Sequence, residues 1–189
     1  SKLGAVRART SDYTTALTLH QEELDLRRKL YQRAPDDDND ALRDLSLALD
    51  RVGNVLRDMS DYRGALKYFE EELTIDRRFV ARAPNNLTAL NDLQWTLSKL
   101  SDFVRQRFGD RTGARQYIVE MIGIDRRLID QEPRSQDRHR RLRDDLTKLA
   151  TLLLAADGTE PTKDLRVENG FSTSLTQFIN LASSIENRA

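Results

Sequence analysis

Pro35, Pro84 and Pro133 stand at a constant spacing of 49 residues, and the stretches leading up to them are related in sequence. Ser11-Asp12-Tyr13 returns as Ser60-Asp61-Tyr62 and, more loosely, as Gly109-Asp110-Arg111. From each triplet to the next proline run DYTTALTLHQEELDLRRKLYQRAP, DYRGALKYFEEELTIDRRFVARAP and DRTGARQYIVEMIGIDRRLIDQEP, aligned without a gap. A fixed period of a few tens of residues restricts the chain to a row of like units, each burying its apolar face against its neighbours.

The aligned columns carry the local structure. Ala16, Ala65 and Ala114 coincide, as do Leu24, Leu73 and Ile122, then Leu26, Ile75 and Ile124, then Leu30, Phe79 and Leu128. This spacing places one apolar stripe on a helix. Asp12, Asp61 and Asp110 stand where a side chain accepts from free N–H groups at a helix start, and each proline follows the last periodic residue. Each segment is predicted to be one helix of roughly 20 residues. Between them lies a second helix type. Residues 40–59 match 88–108 on an offset of 48, with Leu42, Leu45, Leu49, Val52 and Leu56 as its stripe, and 137–157 is its third copy. Leu3-Gly4-Ala5-Val6 matches Val52-Gly53-Asn54-Val55, so the first residues fall inside a helix of this second type.

Composition agrees with an all-α chain: 33% of residues are charged, and among 189 residues there are only 8 Gly and 4 Pro. Lys plus Arg and Asp plus Glu both total 31, so no global charge draws the chain to nucleic acid or to an anionic membrane. The absence of Cys excludes disulfides, thiolate zinc sites and cysteine nucleophiles. No apolar run is long enough to span a membrane, and the opening SKLGAVRART has no signal-peptide core, which points to a cytoplasmic protein. The excess of Arg over Lys fits a GC-rich bacterial genome.

Gly53, Ala65 and Phe69 keep the intervals at which the tetratricopeptide repeat family places Gly, Ala and an aromatic, and Gly4, Ala16 and His20 repeat them with His in the aromatic slot. The chain resembles that family in a long form with a 49-residue period, similar to arrays in bacterial multidomain signalling proteins. Glu72 stands where the family has a second small residue. The resemblance implies a right-handed superhelical stack of antiparallel helix pairs over residues 1–157: a partial repeat at 1–38, then 39–87, 88–135 and 136–157. Residues 158–170, with Pro161 and Gly170, read as a linker. Residues 171–189 read as an amphipathic helix that caps the stack or packs into its groove.

In such a stack the first helix of each pair lines the concave face. Counting from Gly53 and its match Ser101, the groove positions are Leu47, Asp50, Asn54 and Arg57, then Trp95, Ser98, Asp102 and Arg105. Leu47 and Trp95 are the apolar anchors, and Arg57, Arg105 and Arg143 are expected to pair with acidic groups of a partner.

Other clusters read as structural. Asp36-Asp37-Asp38-Asn39-Asp40 resembles a calcium loop only superficially, because Leu47 occupies the place of the bidentate Glu; it reads as helix capping and solvation. Arg134, Arg138, His139, Arg140, Arg141 and Arg143 are interleaved with Glu132, Asp137, Asp144 and Asp145, so they read as a partly self-paired helix start. Neither phosphate loop, nucleophile elbow nor HExxH helix is present. The expectation is a non-catalytic module without metal, cofactor, membrane or nucleic-acid partner, which binds a peptide or a partner domain in its groove. The alternative is a spacer, oligomerisation element or regulatory arm of a larger signalling protein.

Overall fold

The computed structural model of the protein describes residues 2–35 and 38–156. The predicted linker at 158–170 and terminal helix at 171–189, like Asp36 and Asp37, lie outside the described residues. Within them every regular element is helical: α1 Lys2–Arg33, α2 Asn39–Asp58, α3 Tyr62–Arg82, α4 Leu87–Phe108, α5 Arg111–Gln131 and α6 Gln136–Ala156. The chain divides into two compact units, residues 1–117 and 118–189, with the boundary inside α5.

Helix ends follow the repeated chemistry. Asp61 and Asp110 accept from the Gly64 and Gly113 N–H groups at 3.0 and 2.8 Å, while Asp38 and Asn86 do the same for α2 and α4 through Ala41 and Ala89 at 2.8 and 3.1 Å. At the end of α2, Ser60 N–H donates to Arg57 O and Asp61 N–H to Leu56 O, closing the helix around a left-handed residue, Ser60 at φ 66°. Forty-nine residues on, Gly109 holds φ 67° at the end of α4. The turn geometry therefore repeats with the sequence.

The first copy departs from this pattern. Asp12 was expected to start a helix, yet Ser11 and Asp12 lie inside α1, which runs unbroken for 32 residues. Folding back requires a strained left-handed residue, and only the burial of an apolar face offsets that strain. Residues 2–10 offer Leu3, Val6 and two alanines, against the full stripe of α2, so continued helix is the better satisfied state.

In the first unit, contacts fix the helix directions. Arg27 meets Asp44 while Glu23 meets Arg51, so α1 and α2 run antiparallel. Ser46 meets Asp76 and Gly53 meets Phe69, which makes α2 and α3 antiparallel; Thr96 meets Asp76 and Phe103 meets Phe69, so α3 and α4 are too. The pairs Arg43–Asp92 and Lys99–Asp50 each span 49 residues, so α2 and α4 lie side by side and parallel, one repeat apart. Arg28 reaches Glu71 at 2.8 Å with both carboxylate oxygens accepting, setting α1 beside α3 in the same sense.

Between these helices the stripe predicted for α2 is buried, Leu42, Leu45, Leu49, Val52 and Leu56, together with Phe69, Leu73, Ile75 and Phe79 from α3 and Leu90, Leu97 and Leu100 from α4; in α1 the stripe holds at Leu24 but not at Leu26 and Leu30, which are exposed. Gly53 is the point of closest approach, because a Cβ there would lie 2.4 Å from Phe69 Cε1. The Phe69 ring also packs against Phe103 in a T-shaped pair, with ring centres 5.3 Å apart at 89°.

In the second unit, Ile118 and Ile122 of α5 close on Leu146 and Leu149 of α6, with Leu142, Leu152 and Leu153 packed against them. Arg138 donates to Glu132 at 2.6 Å and Arg140 to Asp137 at 2.6 Å, so part of the Arg-rich helix start is paired within its own segment.

Candidate functional site

Between α2 and α4 in the first unit lies a cleft of about 210 Å³, lined by Ser46, Leu47, Asp50, Glu72, Asp76, Asp92, Trp95 and Thr96. Its position follows from the helix directions. Parallel α2 and α4 form the two walls, and α3, antiparallel to both, supplies the floor through Glu72 and Asp76, one turn apart.

Leu47 and Trp95 occupy matching places on the walls. They remain 39% and 58% exposed, although the next residues along, Ala48 and Thr96, are buried. The floor is polar. Ser46 donates to Asp76 Oδ1 at 2.5 Å, and the Thr96 hydroxyl lies 2.6 Å from Asp76 Oδ2 and 2.9 Å from Glu72 Oε1. Lys99 Nζ is 2.5 Å from both Asp50 Oδ1 and Glu72 Oε2, and stands 4.2 Å from the Phe69 ring centre and 4.8 Å from that of Trp95. Asn54 donates to the other oxygen of Asp50 at 2.8 Å, and Arg43 holds Asp92 at 2.7 Å.

Burial decides the protonation of the floor. It pushes the Glu72 carboxyl up to about 7; the Lys99 ammonium pulls it back down, and the charges of Asp50 and Asp76 push it further up. Asp76 is also raised, by burial first, with the hydroxyls of Ser46 and Thr96 opposing. The hydrogen-bond geometry points the same way. Thr96 has one hydroxyl proton for two carboxyl oxygens, so both short contacts are satisfied together when one of the two carboxyls, Glu72 or Asp76, carries a proton and donates it.

Of the residues the sequence singled out, Leu47, Asp50 and Trp95 line this cleft and Asn54 supports it through Asp50. Ser98 lends its backbone carbonyl to Ser101 at 2.9 Å. Arg57 pairs with Asp58 at 3.0 Å and Arg105 with Asp102 at 3.2 Å, both at the surface. Arg143 belongs to the second unit, where its Nε lies 3.8 Å from Asp144. Sequence reasoning missed Glu72, Asp76, Asp92, Thr96 and Lys99. A signal was present for two of them: Glu72 and Asp76 fall on the helical phase of Phe69, Leu73 and Phe79, where a carboxylate is out of place.

No helix among the described residues is long and apolar enough to cross a membrane. No protein-family model and no curated protein sequence matches the chain.

Proposed function

We propose that the chain is a non-catalytic protein-interaction module, a tetratricopeptide-like right-handed stack of helix pairs that holds a peptide or a segment of a partner domain in the cleft. The observation that carries this reading is Trp95. It is the only Trp of the chain, it stands 58% exposed on a well-packed helix, and it shares a concave opening with Leu47. A large aromatic left at the surface of a concavity is the kind of side chain that dominates binding energy at interfaces. The parallel placement of α2 and α4 at one repeat period supports the stacked architecture.

Trp95→Ala and Leu47→Ala are expected to change folding stability by no more than about 1 kcal/mol, because exposed substitutions seldom do more. In a side-by-side pull-down they should lose the partner that the wild-type chain retains. A large drop in stability would make the two residues core, and retention of the partner would remove them from the interface.

A second reading, an oligomerisation or spacer arm of a larger protein, draws on α1. Leu26 and Leu30 are 56% and 46% exposed, whereas Ile75 and Phe79 in the same columns are 6% and 4% exposed. This reading requires a mass that rises with concentration in light scattering. A monomer at every concentration would exclude self-association through α1.

A further inference from the structure

We propose that the cleft receives a cationic side chain, the ammonium of a lysine or the guanidinium of an arginine, presented by a peptide partner. This rests on the interaction reading above and gives its occupant a charge. It also reverses, for this cleft, the sign of the partner expected from Arg57, Arg105 and Arg143.

Charge complementarity favours a cation. Above about pH 7, where Glu72 is ionised, Asp50 and Glu72 share a single ammonium, that of Lys99, with Asp76 held only by the hydroxyls of Ser46 and Thr96, while Asp92 at the rim is held by Arg43. An acidic ligand would meet like charge. A purely apolar ligand would seal Asp50 and Asp92, which are still partly open, away from water, at a desolvation cost that a cation offsets.

The shape of the cleft suits the same occupant. Leu47 and Trp95 form apolar walls along which the methylene stem of a Lys or Arg can lie while its head reaches the floor. At about 210 Å³ the opening is smaller than the roughly 300–1,000 Å³ that encloses a whole small-molecule ligand, and it suits one long side chain. Among the described residues, no three His, Asp or Glu side chains are gathered closely enough to hold a metal ion.

Lys99 already shows how an ammonium is received here, between two carboxylates and against the Trp95 and Phe69 rings. A guest cation would repeat this at the partly open carboxylates, Asp50 and Asp92, and the exposed indole of Trp95.

Glu72 couples the site to pH. It is faced by Asp50 from α2, by Asp76 on its own helix, and by Lys99 from α4, with Asp92 and its partner Arg43 at the rim. Burial keeps a proton on it up to about pH 7, and a second cation favours the ionised form. Binding therefore releases a proton and tightens as pH rises from about 6 to 8.

The test uses four pools of capped, fluorescently labelled nonapeptides, with a central Lys, Arg, norleucine or Glu and randomised small and apolar flanks. Binding is read by anisotropy and by the emission of Trp95, the single indole of the chain. The Lys and Arg pools should bind at least about fivefold more tightly than norleucine, with Glu weakest, and their advantage should grow from pH 6 to 8. Asp92→Asn at the rim, and separately Asp50→Asn, should cut the Lys advantage to about twofold or less while leaving norleucine binding unchanged; thermal melts by circular dichroism identify any variant that fails to fold, and the other then decides.

Equal binding of the Lys and norleucine pools, or preference for Glu, would overturn the cationic occupant while leaving the interaction reading in place. Absence of any response at Trp95 from all four pools would overturn both.

Discussion

Glu72 should make this protein less stable as the solution passes from mildly acidic to mildly basic. Its carboxyl is pushed from an ordinary 4.5 to about 7 in the folded chain, chiefly by burial. The folded state thus holds the proton more tightly than the unfolded one. The sign follows: the group's contribution is most favourable below about pH 4.5, is lost progressively as pH rises, and levels off above about 7. The full difference is about 3 kcal/mol at 1.36 kcal/mol per tenfold change in proton affinity, most of which falls between pH 5 and 8. Asp76, raised in the same direction, adds to the slope. Urea unfolding followed by Trp95 emission, which reports on the first unit, measures this directly. Glu72→Gln copies the protonated form at every pH, so its stability curve should be flatter and should lie above wild type at pH 8 by roughly 2–3 kcal/mol. Equal slopes for the two proteins would refute the assignment, as would a wild type whose stability rises between pH 5 and 8.

Gly53→Ala should destabilise the first unit by roughly 2–3 kcal/mol in urea or thermal melts, because the new methyl meets a Phe69 ring already braced by Phe103. Ser60→Gly should raise stability by about 1 kcal/mol, since it places at φ 66° the residue that the next repeat uses at φ 67°. Thr96→Val, read by the same melts, should destabilise by about 2–3 kcal/mol, because it strips a buried hydroxyl from both Asp76 and Glu72.

The period, the ends of most helices and the α2 stripe were legible because each depends on residues close in sequence. Asp61 and Asp110 cap their helices through the residue three positions on, and Leu42 to Leu56 keep one face whatever lies opposite. What the columns do not encode is the opposing surface. Leu26 and Ile75 share a column, yet one faces solvent and the other is buried. The unbroken α1 has the same origin, since Ser11 takes the left-handed turn of Ser60 only if a helix folded back across it has enough apolar surface to bury. The cleft was half legible. Position along the helix gave Leu47, Asp50 and Trp95, but Lys99 reaches Asp50 across one repeat period and Glu72 on the neighbouring helix α3, and such meetings belong to the assembled fold.

The repeat also supplies an internal control for why the floor is acidic. Forty-nine residues beyond Glu72, in the register that aligns Ala65 with Ala114 and Leu73 with Ile122, stands Met121, buried at the corresponding place in α5. The helix type therefore accepts an apolar side chain there, and packing does not demand the carboxylate. Replacing buried ionisable groups by apolar ones of similar volume is often neutral or stabilising, which makes Glu72 a residue held at a loss of stability near neutral pH. Glu72→Met should then be at least as stable as wild type at pH 8, with Lys99 retaining Asp50, while its preference for Lys-centred over norleucine-centred peptides falls. Lower stability than wild type at pH 8 would show that the carboxylate serves the fold. Unchanged stability together with lost discrimination would show that it serves the cleft, where a carboxyl that ionises near pH 7 in the same opening as an exposed indole suits a cation arriving from outside.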